Sequence, residues 1–356
     1  MADRNTQLNV GVIGAGWWAT SAHIPGIIQH GRAHLKAVQN RTKTKAEQVA
    51  RDFGADQAFT DYRELVLNGN VDAVIVSSTP NMHFEHAKFA LEHKKHVLIE
   101  KPMTFTVAES QELCRLAAEN NLQFLVSCPW HYTNHGIEAR RLIKEGELGD
   151  VRMISILMTN PLDKLLKGVN TSPTHGMKNV YVEPKEGSYN DPSIAGGGQI
   201  YCQVSHAGAY LSFLTGLQPE EVYAKFDYAG SKNDIYDVLT ITMDNGALVS
   251  LASTGATPET IRNFEVRMYG TKAILLLELW KGSMMYYPFA GTPKEYPHLK
   301  AEEIYPDRSP VLNFIDACLG LAANESPGEL GVAAMKIIEA ACLSDKSGKP
   351  IKVKDI

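Results

Sequence analysis

Cysteine is scarce in this chain, and its pattern is uninformative for cross-linking: Cys114, Cys128, Cys202, Cys318 and Cys342 are odd in number, far apart and never in C-x-x-C spacing. That excludes a disulfide framework and a thiolate metal site, and it points to a reducing cytoplasm. No apolar run approaches the ~18 residues of a membrane span. The apolar stretch LNVGVIGAGWWATSA follows Asp3-Arg4 with no positive cluster, so it reads as a strand and a glycine turn rather than a secretory signal. Charge of one sign is also lacking. The net charge is only −5, with Lys and Arg scattered, which leaves no footprint for nucleic acid or an anionic membrane. H-E-x-x-H, G-x-S-x-G and the P-loop pattern are missing. The pairs His83/His86 and His93/His96 have no third ligand in view, so no metal is expected. Internal repeats and low-complexity tracts are absent. What is there is a 356-residue chain, 44% hydrophobic and 21% charged, long enough for two domains with sizeable cores.

The first 127 residues alternate short β-rich runs with helical patterns. LNVGVIG, HLKAVQN, VDAVIVSS, HVLIE and LQFLVSC read as strands, while HIPGIIQH, TKAEQVARDFG, FEHAKFALEHKK and VAESQELCRLAAENN read as helices. This rhythm implies βαβ units and a doubly wound parallel sheet, because both faces of each strand must be covered. From residue 128 to 356 the rhythm changes to an α+β pattern. After the helical HGIEARRLIKEGELG come VRMISILMTN and a glycine- and proline-punctuated segment, then a helix over QIYCQVSHAGAYLSFLTG. Closely spaced strands follow, with hairpin turns expected at Asn245-Gly246 and Tyr269-Gly270, and two helices end the chain. The expectation is a Rossmann domain over 1–127 and, over 128–356, a domain with a large, mostly antiparallel open sheet.

Gly14-Ala15-Gly16-Trp17-Trp18-Ala19 is the G-x-G-x-x-A variant, placed where the first strand ends and a helix begins. In a dinucleotide site Gly14 permits the tight turn, Gly16 lets a pyrophosphate approach, Ala19 keeps the helix close to the sheet, and N–H groups at the helix start attract phosphate. An ordinary glycine-rich turn is the plain alternative. Roughly twenty residues on, a dinucleotide fold carries the residue that reads the adenosine ribose. Here the second strand ends in Asn40-Arg41-Thr42-Lys43 with no acid, so NADP is favoured over NAD as the cofactor, unless Arg41 is only a solvated cation.

Glu100-Lys101-Pro102 stands at the carboxyl end of an apolar strand, the edge where open α/β sheets place their ligands. Proline there ends ladder pairing and aims the lysine. Trp130, His131 and Tyr132 follow the last Rossmann strand and are candidate substrate contacts, with core packing as the equal alternative. Tyr181, Lys185 and Tyr189 are further candidates.

GVIGAGWWA, TPNMHFEHAKFAL, HVLIEKP, LIKEGELGDV and GGGQIYCQVSH, in this order, resemble the glucose-fructose oxidoreductase, inositol dehydrogenase and MocA (Gfo/Idh/MocA) family of NAD(P)-dependent sugar and polyol dehydrogenases. The resemblance covers nearly the whole chain. It implies that Lys101 touches both nicotinamide ribose and the reacting hydroxyl, that Thr79, Pro80, Asn81 and His83 line the cofactor, and that His206 stands near the substrate hydroxyl. It also implies a homodimer or homotetramer built through the second domain's sheet. One departure matters: the family commonly has Asp four residues before that histidine and Gly two before it, where this chain has Cys202 and Val204. Gln203 shares the helix face and can orient the imidazole, but it cannot stabilise an imidazolium.

The expected reaction is hydride transfer between a secondary hydroxyl of a sugar, glycoside or cyclitol and NAD(P), with His206 managing the proton and Lys101 stabilising the alkoxide. Two alternatives stand beside it: a glycoside-cleaving enzyme working by transient oxidation and elimination, and a nucleotide-sensing protein without turnover.

Overall fold

A computed structural model describes residues 7–169, 181 and 187–356. The chain forms two compact units. The first holds the residues through Ser127 and takes the chain back at Asp307–Glu329, and the second begins at Cys128. The return at 307–329 differs from an undivided second domain, and its cause is hydrophobic: Val311, Phe314 and Ile315 of the helix Ser309–Cys318 are fully buried among the first unit's core residues.

In the first unit the order is β1 (Leu8–Ile13), a helix whose first part is the π-turn Ala19–His23 and whose second is α1 (Ile24–His30), β2 (Ala33–Gln39), α2 (Lys43–Phe53), β3 (Gln57–Phe59), α3 (Tyr62–Asn68), β4 (Ala73–Val76), α4 (His83–Glu92), β5 (His96–Ile99), α5 (Val107–Glu119) and β6 (Phe124–Val126). Among the described residues the sheet has six strands, all parallel, in the order β3-β2-β1-β4-β5-β6. The run apolar on both faces, β4, lies in the middle of it and is buried at every position. Gly31 and Gly54 end α1 and α2 with positive φ of 73° and 76°, and Thr106 with Glu109 closes a capping box on α5. The first helix starts earlier than HIPGIIQH suggests. Pro25 cannot donate to the carbonyl one turn back, and the π-turn before it widens the helix so that Ile24 N–H reaches Ala19 O instead.

The second unit runs through α6 (Asn134–Lys144), β7 (Val151–Thr159), the short helices α7 (Asp163–Leu166) and α8 (Pro192–Ala195), a second π-turn (Ile200–Val204) leading into α9 (Ser205–Thr215), then β8 (Pro219–Asp227), β9 (Tyr236–Met243), β10 (Leu248–Thr254), β11 (Asn263–Gly270), β12 (Ala273–Glu278), β13 (Ser283–Pro288) and β14 (Lys294–Glu295). The short strand Ile351–Lys352 closes one edge by pairing with β8. Nine strands, counted among the described residues, make one open sheet in which only β7 and β10 pair in parallel. The turn at Asn245-Gly246 stands where the sequence puts it, with Gly246 at φ 79°. Tyr269-Gly270 is not a turn: both residues remain in β11 and the chain reverses at Thr271-Lys272. Gly270 is there for close approach, since a Cβ at that position would stand 2.0 Å from Leu148 O.

Candidate active site

Parallel register sets one line across the first sheet. Ile13 of β1 is opposite Val76 of β4, Val76 is opposite Ile99 of β5, and Ile99 is opposite Val126 of β6. The ladder continues one residue further through Ser77 N to Ile13 O, Glu100 N to Val76 O and Ser127 N to Ile99 O, at 2.9–3.0 Å. The glycine turn, the Thr79 loop and Glu100-Lys101 therefore leave the sheet at the same carboxyl edge. The strand order reverses between β1 and β4, which is where ligands bind in open α/β sheets.

At that edge Gly14 has φ 80°, and a Cβ on it would stand 2.5 Å from Ser78 N. Its own N–H donates to Gln39 Oε1 at 3.1 Å, and Ala15 N–H donates to Gln39 O at 2.8 Å, so the end of β2 braces the turn. Gly16 is different. A Cβ there would meet nothing nearer than Gly14 O at 3.9 Å, so open space lies beside the turn and a ligand has room against bare backbone. The first N–H groups of the helix that follows have no intrahelical acceptor. Open space, a forced turn and helix N–H groups together fit a dinucleotide pyrophosphate. Trp17 and Trp18 flank the turn edge to face, with ring centroids 5.6 Å apart.

Asn40 holds the position of the ribose-reading acid, but its carboxamide is spent on the loop: Nδ2 donates to Ala15 O at 3.1 Å and Oδ1 accepts from Thr42 N at 3.0 Å. Arg41, Thr42 and Lys43 are exposed beside it. The first turn of α2 contains no acid, and the Thr42 hydroxyl makes no capping bond there.

Thr79 Oγ1 donates to Asn81 Oδ1 at 2.7 Å, and Pro80 begins the 3₁₀ turn that leads into α4. His83 is buried, with Nδ1 2.8 Å from Pro102 O and Nε2 3.0 Å from Ser78 O. Both ring nitrogens thus face the protein's own carbonyls, and the ring ties the β4 loop to the Lys101-Pro102 segment. Burial, outweighing these two carbonyls, holds its pKa below the ordinary imidazole value.

Glu100 also turns inward. Its Oε1 is 2.9 Å from Nε2 of His23 on the first π-turn, and its Oε2 accepts from Lys101 N at 3.1 Å. Burial alone would raise this carboxyl, but the His23 imidazole, then Lys101 and Ser127, outweigh it and leave the pKa lowered. His23 is fully buried and was not among the residues that the sequence singled out. The Lys101-Pro102 peptide bond is cis.

Among the second-unit candidates, Trp130 is 2% exposed and sits in an aromatic cluster, its ring 5.0 Å from His206, 4.9 Å from Phe264, 5.3 Å from Trp280 and 4.8 Å from Tyr305. His131 is buried and stacks on Phe213 at 4.4 Å, its pKa pushed down to about 3 by burial and then by Arg140. Both rings pack against aromatic neighbours, while Tyr132 stays partly exposed. His206, on α9, is 4% exposed.

Gln203 does not present a free carboxamide to His206, because Asn160 Nδ2 donates to its Oε1 at 2.7 Å. Cys202, Gln203 and Val204 lie in the second π-turn, so α-helical spacing relates residues to His206 only from Ser205 onward. Tyr181 is exposed and bonds Asp52 Oδ2 at the end of α2, and Tyr189 offers its carbonyl to Asn233. Lys185 lies outside the described residues.

None of the five cysteines forms a disulfide. Among the described residues no helix is long and apolar enough to cross a membrane, and no three His, Cys, Asp or Glu gather at metal-binding range.

Residues 8–128 match the model of an oxidoreductase family with an NAD-binding Rossmann fold, and residues 137–276 match that of the GFO/IDH/MocA C-terminal domain. An uncharacterized oxidoreductase of Synechocystis sp. is 28% identical over 77% of this chain and 72% of its own length. The D-xylose 1-dehydrogenase (NADP(+)) of Hypocrea jecorina is 33% identical over 52% of this chain and 45% of its own. A levoglucosan dehydrogenase solved with NADH and levoglucosan has the same fold at a TM-score of 0.83 and 18% identity, over 98% of this chain and 100% of that one. The two matched models span more than half of the sequence between them, and the chain belongs to the Gfo/Idh/MocA family of NAD-binding oxidoreductases.

Proposed function

We propose that the protein is an NAD(P)-dependent dehydrogenase that oxidises a secondary hydroxyl of a sugar, glycoside or cyclitol, with Lys101 and His206 at the reacting alcohol. The observation that carries this is the alignment of the Gly14 turn, the Thr79 loop and Lys101 on one carboxyl edge at the point where strand order reverses. The xylose and levoglucosan enzymes support the substrate class.

A nicotinamide cofactor supplies the hydride acceptor. The protein supplies the rest. Lys101 donates a hydrogen bond to the alcohol oxygen and stabilises its charge as the C–H electron pair departs, and His206 takes the hydroxyl proton, leaving a carbonyl. The Glu100–His23 pair fixes the backbone from which Lys101 projects.

NADP is the favoured cofactor. Asn40 is committed to the loop, and Arg41 and Lys43 stand at an acid-free helix start where an anion is favoured. A carboxylate at this position would repel a 2′-phosphate instead.

A second copy of the chain is the proposed partner. Tyr223, Tyr236, Val238, Leu248 and Met153 are 42, 42, 60, 60 and 46% exposed on β8, β9, β10 and β7. Leu248 and Met153 are directly opposite on paired strands, and exposed apolar side chains on one sheet support an association surface there.

The test is a screen of D-xylose, levoglucosan, inositols and glycosides against NAD and NADP, reading reduced nicotinamide. Turnover that falls away in Lys101→Ala and His206→Ala supports the reading. Glycoside cleavage with no net change in cofactor, or cofactor binding without turnover, contradicts it.

A further inference from the structure

The α9 helix and the π-turn before it are held at their start by one residue far away in sequence. Asp234 Oδ1 accepts from Gly198 N at 2.8 Å, Asp234 Oδ2 accepts from Ile200 N at 2.6 Å, and the Asp234 carbonyl accepts from Gln199 N at 3.0 Å. Three successive N–H groups at the head of the helix, which would otherwise lack acceptors, all end on this residue. Helix caps are ordinarily local; this one comes from the chain entering β9.

The fit leaves no slack. A Cβ on Gly198 would stand 2.1 Å from Asp234 O, and one on Gly197 would stand 2.9 Å from Tyr201 Cδ2. The neighbours of Asp234 extend the clamp, since Asn233 Nδ2 donates to Leu166 O at 3.2 Å and to Tyr189 O at 3.0 Å. Gln199 Nε2 in turn donates to Ser253 Oγ at 2.9 Å, which ties the helix head to β10. His206 is on the helix that continues from it, the second residue after the π-turn ends.

We propose that Asp234 is a positioning residue for the reaction: by capping the helix head through Gly198, Gln199 and Ile200 it sets where His206 stands. This rests on the reading of His206 as the proton acceptor. The groups that face Asp234 include the N–H donors of Gly198 and Ile200, the carboxyl of Asp237 and the phenol of Tyr228; Asp237, facing Asp345 as well, is pushed well above the usual range by burial and then by Asp234. Cys342 feels both carboxyls, and its thiol is raised by burial first. Burial raises Asp234 as well, opposed first by the Ile200 and Gly198 N–H groups, and the 2.6 and 2.8 Å contacts of those donors mark its carboxyl oxygens as the acceptors.

Asp234→Asn tests this, because an amide has one oxygen for two N–H donors and turns its NH₂ toward the other. The first readout is amide hydrogen exchange together with the His206 ring resonance, assigned by its loss in His206→Ala. The expected result is loss of protection at residues 198–200 and a displaced His206 resonance, with the other histidine resonances unmoved. An unmoved His206 resonance overturns the proposal. The second is a double-mutant cycle with NADP and whichever of D-xylose, levoglucosan and myo-inositol the wild type turns over. Asp234→Asn is expected to lower kcat about 10- to 100-fold in the wild type and less than twofold in the His206→Ala background, with cofactor affinity unchanged.

Equal losses in both backgrounds would mean a general structural role and overturn the proposal. A fully active Asp234→Asn beside an impaired His206→Ala sinks this inference alone, whereas a fully active His206→Ala sinks the functional reading with it. Should Asp234→Asn fail to fold, Gly198→Ala pushes the same contact apart from the other side and must displace the same resonance.

Discussion

At the scale of single residues, the structure separates those that make shape from those left to meet a ligand. Gly14, Asn40, His83 and Glu100 are all engaged inward, whereas Gly16 faces open space and Arg41 faces solvent. Gly14→Ala is expected to abolish cofactor binding in a nucleotide titration, since the added methyl meets Ser78 backbone at a positive φ; binding within threefold of wild type would refute the turn's role. Arg41→Ala is expected to weaken NADP about tenfold or more and leave NAD unchanged, measured by quenching of tryptophan fluorescence, and an equal effect on both would remove the 2′-phosphate assignment. Lys101→Ala is expected to lower kcat by about 10²–10³ with cofactor affinity within threefold. Lys101, Gly14 and Gly16 were legible in the sequence because a glycine spacing and a proline after a strand end constrain backbone in ways that leave a mark. His23 and Asn160 were not: a lone histidine in a helix start and an asparagine after a strand resemble many others until the fold buries them beside Glu100 and Gln203.

At the scale of elements, β9 carries a signal that the alternation rule exposes. Its inward positions are Asp237, Leu239, Ile241 and Met243, and its outward ones begin Tyr236 and Val238, so an acid faces the core while apolar groups face out. The acid belongs with Asp234 in the clamp, and the outward pair belongs to the exposed face. Burial, then the Asp234 charge, raises Asp237, so the folded protein binds this proton more tightly than the unfolded chain does. Stability from it is present at low pH and is lost as pH rises from the usual carboxylate range through the raised pKa. Asp237→Asn, neutral at every pH, should flatten that dependence. Between pH 5 and 9 the variant's thermal midpoint is expected to gain a few degrees on wild type, and parallel curves would show that Asp237 is ionised in the fold. The strand and helix sequence of the first unit was legible because parallel strands buried on both faces read as continuous apolar runs. The first π-turn and the true reversal at Thr271-Lys272 were not, because the former depends on Pro25 acting across a helical turn and the latter on Gly270 packing against Leu148.

At the scale of the whole molecule, the return of Asp307–Glu329 to the first unit was not legible in the sequence, since an amphipathic helix does not declare which core will receive its apolar stripe. Association through the exposed sheet face has its own test: Val238→Glu with Leu248→Glu is expected to convert a dimer or tetramer into smaller species by light scattering without loss of fold, and an unchanged mass would place the interface elsewhere. The central claim is that a carbinol hydrogen leaves as hydride while Lys101 and His206 handle its oxygen. The most direct measurement is deuterium transfer: the wild type is incubated with NADP and perdeuterated substrate, D-xylose or myo-inositol, and the reduced cofactor is examined by NMR. One deuterium at nicotinamide C4, formed at least 100-fold more slowly by Lys101→Ala and by His206→Ala, is the predicted result; reduced cofactor without deuterium, or variants as fast as wild type, would contradict the account.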